Sequence, residues 1–143
     1  MATFNKFQDF SEQLVDGYQN FATDTYKVAL TNTAPVATNT VFANITEIAA
    51  GNGYTAGGTA TTISISESSG TTTVSGTQVV FTASGGSIGP FRYVVLYNDT
   101  TSTPVNKPLV GWWDYGSAVT LADTETFTVK FSNTSPGAIF TLS

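Results

Sequence analysis

The chain has 143 residues and a formal net charge of −5, and only 10% of its residues are charged, well below the roughly 25% of an average globular protein. It contains no cysteine and no histidine, which excludes disulfides, thiolate nucleophiles, Ser-His-Asp sites and the usual zinc sites. Its five basic residues are spread along the chain, so we expect no nucleic-acid binding. No apolar run is long enough to cross a membrane as a helix, so we expect no membrane partner.

The first residues carry aromatic side chains at helical spacing. The pattern predicts an amphipathic helix over about 3–16, with Thr3 as its N-cap and Gly17 directly after its C-terminal end. The apolar stripe of this helix is Phe4, Phe7, Phe10 and Leu14, and the residues on the opposite side are Lys6, Asp9, Glu12 and Asp16. The stripe packs either on the protein's own core or on a neighbouring subunit.

From Tyr26 onward the hydrophobic period becomes two, which predicts β-strands. Residues 41–48 are ambiguous, and their stiff Val, Ile and Thr side chains favour an extended conformation. Residues 51–58 are a glycine-rich turn in which Asn52-Gly53 is the strongest signal. The predicted strands are 26–31, 59–66, 71–75, 77–83, 91–97, 109–115, 119–121, 126–131 and 138–142.

The most apolar of these strands is 91–97. Alternation places one set of side chains on one face and a second set on the other. Both sets are largely apolar, which is typical of a central strand that is covered on both sides. The first set is Phe91, Tyr93, Val95 and Tyr97, and the second is Arg92, Val94 and Leu96.

One short helix followed by many short strands predicts a mainly β protein. The turn signals recur about every 8–12 residues, as in sandwiches and barrels. No crossover helix separates the strands, which excludes a parallel α/β sheet. We therefore expect residues 1–143 to form a single antiparallel β-sandwich domain, jelly-roll-like, with a short N-terminal amphipathic helix.

Two surface features suggest contacts with other proteins. Residues 28–91 contain only two charged residues, Glu47 and Glu67. Either their hydroxyl and amide groups solvate this surface, or partner proteins cover it, since the cores of interfaces are poor in charge. Trp112 and Trp113 are adjacent, so on a strand they point to opposite faces. One packs in the core. The other lies under the chain's own N-terminal helix, contacts a partner, or stacks on a sugar ring.

The acidic residues offer no catalytic pattern. Two carboxylates are the minimum for glycoside hydrolysis, but the four candidates stand at strand ends and turns, where acidic residues are common for structural reasons. No calcium-loop sequence occurs. We therefore predict no enzyme, no catalytic residue, no metal and no cofactor. The four candidates are Asp99, Asp114, Asp123 and Glu125.

Four stretches of the chain are long and unusual in sequence: FNKFQDF (4–10), ITEIAAGNGYTAGG (45–58), VVFTASGGSIGPFRYVVLYND (79–99) and GWWDYGSAVTLADTETFTVKF (111–131). These stretches resemble small virion structural proteins of tailed bacteriophages. The resemblance implies a capsid decoration, or cement, protein that bridges major capsid subunits. A tail, adaptor or short-fibre component is one alternative, and a carbohydrate-binding adhesion module is another.

The expected partners are therefore the phage major capsid protein and further copies of this chain, as a dimer or trimer. The N-terminal residues lack the pattern of a signal peptide, so we expect synthesis in the host cytoplasm and a final location on the outer capsid surface of the virion. The predicted interface residues are Phe4, Phe7, Phe10, Leu14, Trp112, Trp113 and Tyr115.

Overall fold

The computed structural model describes residues 2–143, and this part of the chain is mainly β, as the sequence predicts. Its helices are α1 (Phe10–Val15) and a short 3-10 helix (Phe42–Asn44). Its strands are β1 (Asn5–Lys6), β2 (Tyr26–Thr31), β3 (Thr59–Thr61), β4 (Ile63–Ser68), β5 (Thr71–Gly76), β6 (Val79–Thr82), β7 (Ile88–Asn98), β8 (Leu109–Leu121), β9 (Thr126–Val129) and β10 (Gly137–Leu142).

The strands form three antiparallel sheets. A five-stranded sheet has the order β1-β8-β7-β2-β3, a three-stranded sheet has the order β10-β5-β4, and β6 pairs with β9. Strand β7 is the central strand of the largest sheet. Its residues Val94 and Val95 point in opposite directions and are both buried, which confirms the prediction of a strand covered on both faces.

The main core lies on one face of the five-stranded sheet. Side chains from all three sheets meet there, because alternate residues along a strand point to the same face. The buried members include Val28, Leu30 and Leu96 from the large sheet, Val74 and Ile139 from the β10-β5-β4 sheet, and Val79, Phe81 and Val129 from the β6-β9 pair.

A second, smaller core covers the other face of the five-stranded sheet. Ala29, Val95, Tyr97 and Leu109 are buried there together with Phe7. The segment that contains the 3-10 helix lies over them, and the ring of Phe42 stacks on Tyr97 with centroids 4.0 Å apart. The large sheet is therefore enclosed on both sides by the chain itself.

The predicted assignment of side chains to the two faces of β7 is wrong in the first half of the strand. Phe91 joins the main core with Val94 and Leu96, whereas Val95 and Tyr97 face the second core. The pairing register with β8 shifts between Phe91 and Tyr93. Between these two pairs β7 advances by two residues and β8 by five, and such an irregularity allows the side chains before it to change face.

The predicted helix over 3–16 is too long at its N-terminal end. Residues 5 and 6 form β1 on the edge of β8, where Asn5 pairs with Trp112 and Lys6 with Gly111. The N-cap of α1 is Asp9 and not Thr3. Backbone pairing with an open sheet edge offers these residues an alternative to helical hydrogen bonds, which a pattern within one segment does not reveal.

The C-terminal end of the helix is predicted correctly. Gly17 follows the helix with φ +83°, a conformation that favours glycine. Its N–H donates to the Leu14 carbonyl at 3.3 Å, and the N–H of Tyr18 donates to the Gln13 carbonyl at 2.9 Å. These two bonds satisfy carbonyls that the helix leaves without partners.

Three other predicted elements differ from the structure. The predicted strand 59–66 is divided between β3 in the five-stranded sheet and β4 in the three-stranded sheet. Residues 41–48 contain the 3-10 helix, because the Asn44 side chain accepts hydrogen bonds from the N–H groups of Thr40 and Val41 and so favours a local turn over a strand. Residues 109–115 and 119–121 belong to one strand, β8. The turn at Asn52-Gly53 is confirmed, with φ +56° and +102°.

Gly58 is a position where the fold requires glycine. It has φ +79°, and a Cβ atom there would lie 1.9 Å from the carbonyl oxygen of Val28. Gly70 has nearly the same φ, +84°, but nothing lies within 4 Å of its Cβ position. The two residues therefore form a matched pair that separates backbone strain from steric contact.

We predict that Gly58→Ala destabilises the protein by about 3 kcal/mol or more, because strand β2 must move in addition to the strain of a left-handed residue. Gly70→Ala should cost only the strain, about 1–2 kcal/mol. Urea unfolding of both variants measures the difference. Equal losses of stability would contradict the close approach of residue 58 to β2.

Candidate interaction surface

The seven predicted interface residues divide into three groups. Phe7, Phe10 and Trp113 are buried inside the protein, so they are part of its own core. Phe4, Leu14 and Trp112 are half-buried, and Tyr115 is 56% exposed. The structure therefore leaves four of the seven within reach of another molecule.

The N-terminal segment covers both tryptophans. Phe4 packs on Trp113 with ring centroids 5.3 Å apart, and Phe7 packs on Trp112 at 4.6 Å. Because Phe4 and Phe7 flank the extended pair β1, their side chains reach opposite faces of β8. Trp113 is therefore the inner tryptophan, and Trp112 lies under the chain's own N-terminal segment.

A buried polar network holds α1 against the sheet. The Gln19 amide donates to Gln13 at 3.0 Å, and the Tyr26 hydroxyl donates to Gln19 at 2.9 Å. The Asn98 amide donates to Asp24 at 2.7 Å and so joins the end of β7 to the segment before β2. Buried polar side chains with hydrogen-bond partners fix one orientation of the helix.

Helix α1 is flanked by an open apolar groove on each side. The first, which we call the terminal groove, has a volume of about 630 Å³ and lies between α1 and β10. Val15 is 88% exposed and Leu142 is 56% exposed, so its wall is both apolar and accessible. The main apolar residues lining it are Phe4, Phe10, Leu14, Val15, Phe140 and Leu142.

The second groove, which we call the hairpin groove, has a volume of about 310 Å³. It lies between the segment after α1 and the β4–β5 hairpin (residues 63–76). Leu14, Phe140 and Leu142 line both grooves, so the two adjoin each other. The other apolar residues of the hairpin groove are Phe21, Ala22, Ile65 and Val74.

Few charges surround these grooves. The β4–β5 hairpin contains one charged residue, Glu67, whose carboxylate accepts the N–H of Gly70 at 2.7 Å. Lys6 donates to the hydroxyl of Ser11, and Glu12 and Asp16 are exposed on α1. The surface therefore offers apolar contact area with a thin acidic rim on one side.

A smaller cleft of about 190 Å³ lies between β8 and β9. Tyr115 stands at this cleft with its ring edge-on to Phe127, at 5.2 Å between centroids. Trp113 contributes only part of its ring, since Phe4 and Phe131 occupy the rest. The polar groups lining the cleft include those of Thr128 and Lys130.

All four acidic candidates from the sequence have partners in their own chain. Asp99 bridges two lysines, and Asp114 accepts two hydrogen bonds from Arg92, at 2.8 and 3.0 Å. Asp123 accepts the N–H of Gly85, and Glu125 accepts that of Ala122. The first three carboxylates therefore join segments that are distant in the sequence, whereas that of Glu125 stabilises a local turn.

Residues 2–143 contain no group of three or more acidic, histidine or cysteine residues placed to hold a metal ion. No helix within the same range is long and apolar enough to cross a membrane.

The sequence analysis did not identify three of the apolar residues that line the grooves. Ile65, Phe140 and Leu142 belong to strands that alternate apolar with polar residues, a pattern that signals only that one face is buried. They line the grooves beside α1 because no other part of the described chain fills the space there. The pairings of β4 and β10 with β5 bring these residues together.

The chain matches no protein-family model, no curated protein and no solved structure.

We predict that Phe7→Ala lowers the free energy of unfolding by about 3–5 kcal/mol, because it empties part of the second core. Tyr115→Ala should lower it by about 1 kcal/mol or less, since the ring is mostly exposed. Thermal or urea unfolding compares the two variants. A large loss for Tyr115→Ala would show that this ring serves the fold and is not free for contacts.

We also predict a pH effect at Asp99, which lies 3.0 Å from Lys27 and 3.2 Å from Lys107. Partial burial acts to raise the pKa of Asp99, but the hydrogen bonds and charges of the two lysines outweigh it and lower the pKa below the usual 3.8. A lowered pKa stabilises the fold above the unfolded-state value, and this contribution disappears as the pH falls through the folded-state value.

Asp99→Asn should therefore lower Tm by about 2–4 °C at neutral pH, the effect of up to about 1 kcal/mol in a chain of this size. The difference in Tm between wild type and variant should become smaller as the pH falls from about 5 towards 2. Differential scanning calorimetry across this range provides the measurement. A gap that stays constant down to the lowest pH would contradict the assignment to the Asp99 ion pairs.

Proposed function

We propose that this protein is a non-enzymatic structural protein of a tailed-phage virion, a capsid decoration protein that binds the major capsid protein on the outer surface of the head. The observation that carries the proposal is the pair of open apolar grooves beside α1, on a side of the molecule with few charges. The resemblance of four sequence stretches to virion structural proteins supports the same role.

The strand pairing supports a jelly-roll-like β-sandwich. Hairpin β7–β8 is enclosed by the pair β6–β9, which is enclosed in turn by the pair β5–β10. Nested pairs of this kind arise when a long antiparallel ribbon rolls up, which is how jelly rolls are built. The main core between the sheets, with members from all three, fits a sandwich.

Binding through the grooves relies on the hydrophobic effect. A capsid segment with aliphatic or aromatic side chains would cover Val15, Leu142 and the floor formed by Phe140. Each Å² of apolar surface removed from water contributes about 25 cal/mol before the cost of association. Many copies on one lattice let modest contacts act together, and binding only the assembled shell stabilises it.

The low charge of the surface has a measurable consequence. Contacts between opposite charges weaken as salt screens them, whereas apolar contacts do not. The complex with capsids should therefore persist in about 1 M NaCl, where the Debye length is only about 3 Å. Release by salt would point to an electrostatic interface elsewhere on the molecule.

The decisive experiment adds purified protein to capsids that lack it and measures the bound fraction by co-sedimentation and electron cryomicroscopy. We predict that Val15→Lys combined with Leu142→Lys weakens binding at least about tenfold, roughly 1.4 kcal/mol. Val36→Lys is the matched control, because Val36 and Leu142 are both 56% exposed but Val36 does not line either groove.

Undiminished binding of the double variant would refute the role of the grooves. The number of copies in native virions separates the head from the tail. Hundreds of copies accord with a decoration protein on a symmetric shell, whereas a dozen or fewer at the tail would replace this proposal with the tail, adaptor or fibre role.

A carbohydrate-binding module remains the candidate from a different class, and exposed Tyr115 at its cleft is the feature that favours it. Sugar rings stack on open aromatic faces, but the chain's own phenylalanines cover Trp112 and Trp113. Binding to a glycan array that disappears in Tyr115→Ala would support this function over capsid decoration.

A further inference from the structure

Strand β4 forms an uncovered edge of the β10-β5-β4 sheet. Five of its six residues, from Ser64 to Ser68, are exposed. The outer strands of the five-stranded sheet are shorter, with two residues in β1 and three in β3. An edge of six residues presents a row of backbone groups that can pair with another strand.

The turn after β4 determines which backbone groups point outward. Ser69 and Gly70 have φ +51° and +84°, the pattern of a two-residue type I′ turn. The residues that flank such a turn, Ser68 and Thr71, share hydrogen bonds, and bonded pairs then alternate along the hairpin. The N–H of Thr77 donates to the Thr62 carbonyl at 3.0 Å, which fits this alternation.

The outward-facing groups of β4 are therefore the N–H and C=O of Ile63, Ile65 and Glu67. The even-numbered residues between them use theirs to pair with β5. The side chain of Ile65 is 47% exposed and lies on the same face as Val74, its partner on β5. This edge thus combines three sets of free backbone groups with an apolar side chain at its centre.

The usual features that protect sheet edges are missing from β4. It contains no proline, lysine or arginine, and its pairing with β5 runs without a bulge. At the opposite edge of the same sheet, β10 has an irregular register between Ala138 and Phe140. Natural edges that must stay unpaired carry such interruptions, so the regular edge of β4 is suited to pairing.

We propose that β4 pairs with β4 of a second copy of this chain, antiparallel and related by a two-fold axis at Ile65. In this register Ile65 lies opposite Ile65 of the second copy, and Ile63 lies opposite Glu67. All three outward residues of each strand then meet outward residues of the other, which gives six hydrogen bonds. The result is one continuous six-stranded sheet, β10-β5-β4-β4-β5-β10.

The alternative two-fold registers form fewer hydrogen bonds between the two β4 strands. An axis at Ser64 or Ser66 brings only two outward residues of each strand into pairs, which gives four hydrogen bonds. The Ile65 register also separates the two Glu67 carboxylates by about four residues, or roughly 13 Å along the strand, beyond the Debye length of about 8 Å in physiological salt. Self-pairing therefore meets little charge repulsion.

The same register joins the two apolar faces. Residues in a hydrogen-bonded antiparallel pair have Cα atoms about 5.5 Å apart, so the two Ile65 side chains touch. Each hairpin groove then opens onto a face shared by both copies. This self-pairing is independent of the proposed capsid role: the β4 edge and the capsid-binding variants at Val15 and Leu142 are tested separately.

The test measures the mass of the full chain by sedimentation velocity and light scattering at about 100 µM, a concentration that populates dimers with Kd in the micromolar range. We expect about 30 kDa, twice the chain mass of 15.0 kDa. Ile65→Lys and Ile65→Glu should each be monomers, because they place like charges opposite each other. Mixing these two variants should restore a dimer that contains one of each.

The matched controls are Val80→Lys and Val80→Glu, since Val80 is 47% exposed like Ile65 but lies on β6. Both should remain dimers, and circular dichroism should show all four variants folded. A monomeric or trimeric wild type, or charged Ile65 variants that still form dimers, would overturn the proposal. Failure of the mixture to associate would overturn the register centred on Ile65.

Discussion

The five-stranded sheet has apolar side chains on both faces, and covering both of them is the constraint on which the rest of the molecule depends. The other two sheets cover one face, and the segment around the 3-10 helix covers the other together with Phe7. The N-terminal segment serves both faces because β1 lies along the edge of β8. Gly111 permits this contact, since a Cβ atom there would lie 2.2 Å from the Phe4 ring.

The position of α1 follows from this arrangement. Because residues 5 and 6 are extended, the helix begins only at Phe10 and has six residues, too few to be stable without tertiary contacts. Phe10 and the buried Gln13 anchor it, while Val15 faces solvent. A short helix held at one side by a polar network leaves open space along its flanks, and the two grooves occupy that space.

The sequence was sufficient where structure depends on local alternation. Strand β2 has the predicted bounds, and the central position of β7 follows from its two apolar faces. The errors arise from contacts between distant segments, such as the pairing of β1 with β8 and the bulge at Phe91. The candidate interface shows the same difference between local and distant contacts. The sequence reveals the aromatic stripe, because its spacing is local. It does not reveal that Phe7 and Phe10 are buried, because the residues that cover them, including Trp112 and Phe140, are about 100 or more positions away.

A chain with so few charges must avoid uncontrolled association by some other means. Hydroxyl groups solvate much of its surface, including Ser64 and Ser66 on the outer face of β4, but they do not protect backbone groups at a sheet edge. The two-fold pairing that we propose at Ile65 resolves this conflict, because it pairs the β4 edges of both copies and leaves β10, with its irregular register, at the outside of the joined sheet. In the proposed dimer neither β4 edge is free, and the apolar grooves beside α1 are available to a different partner.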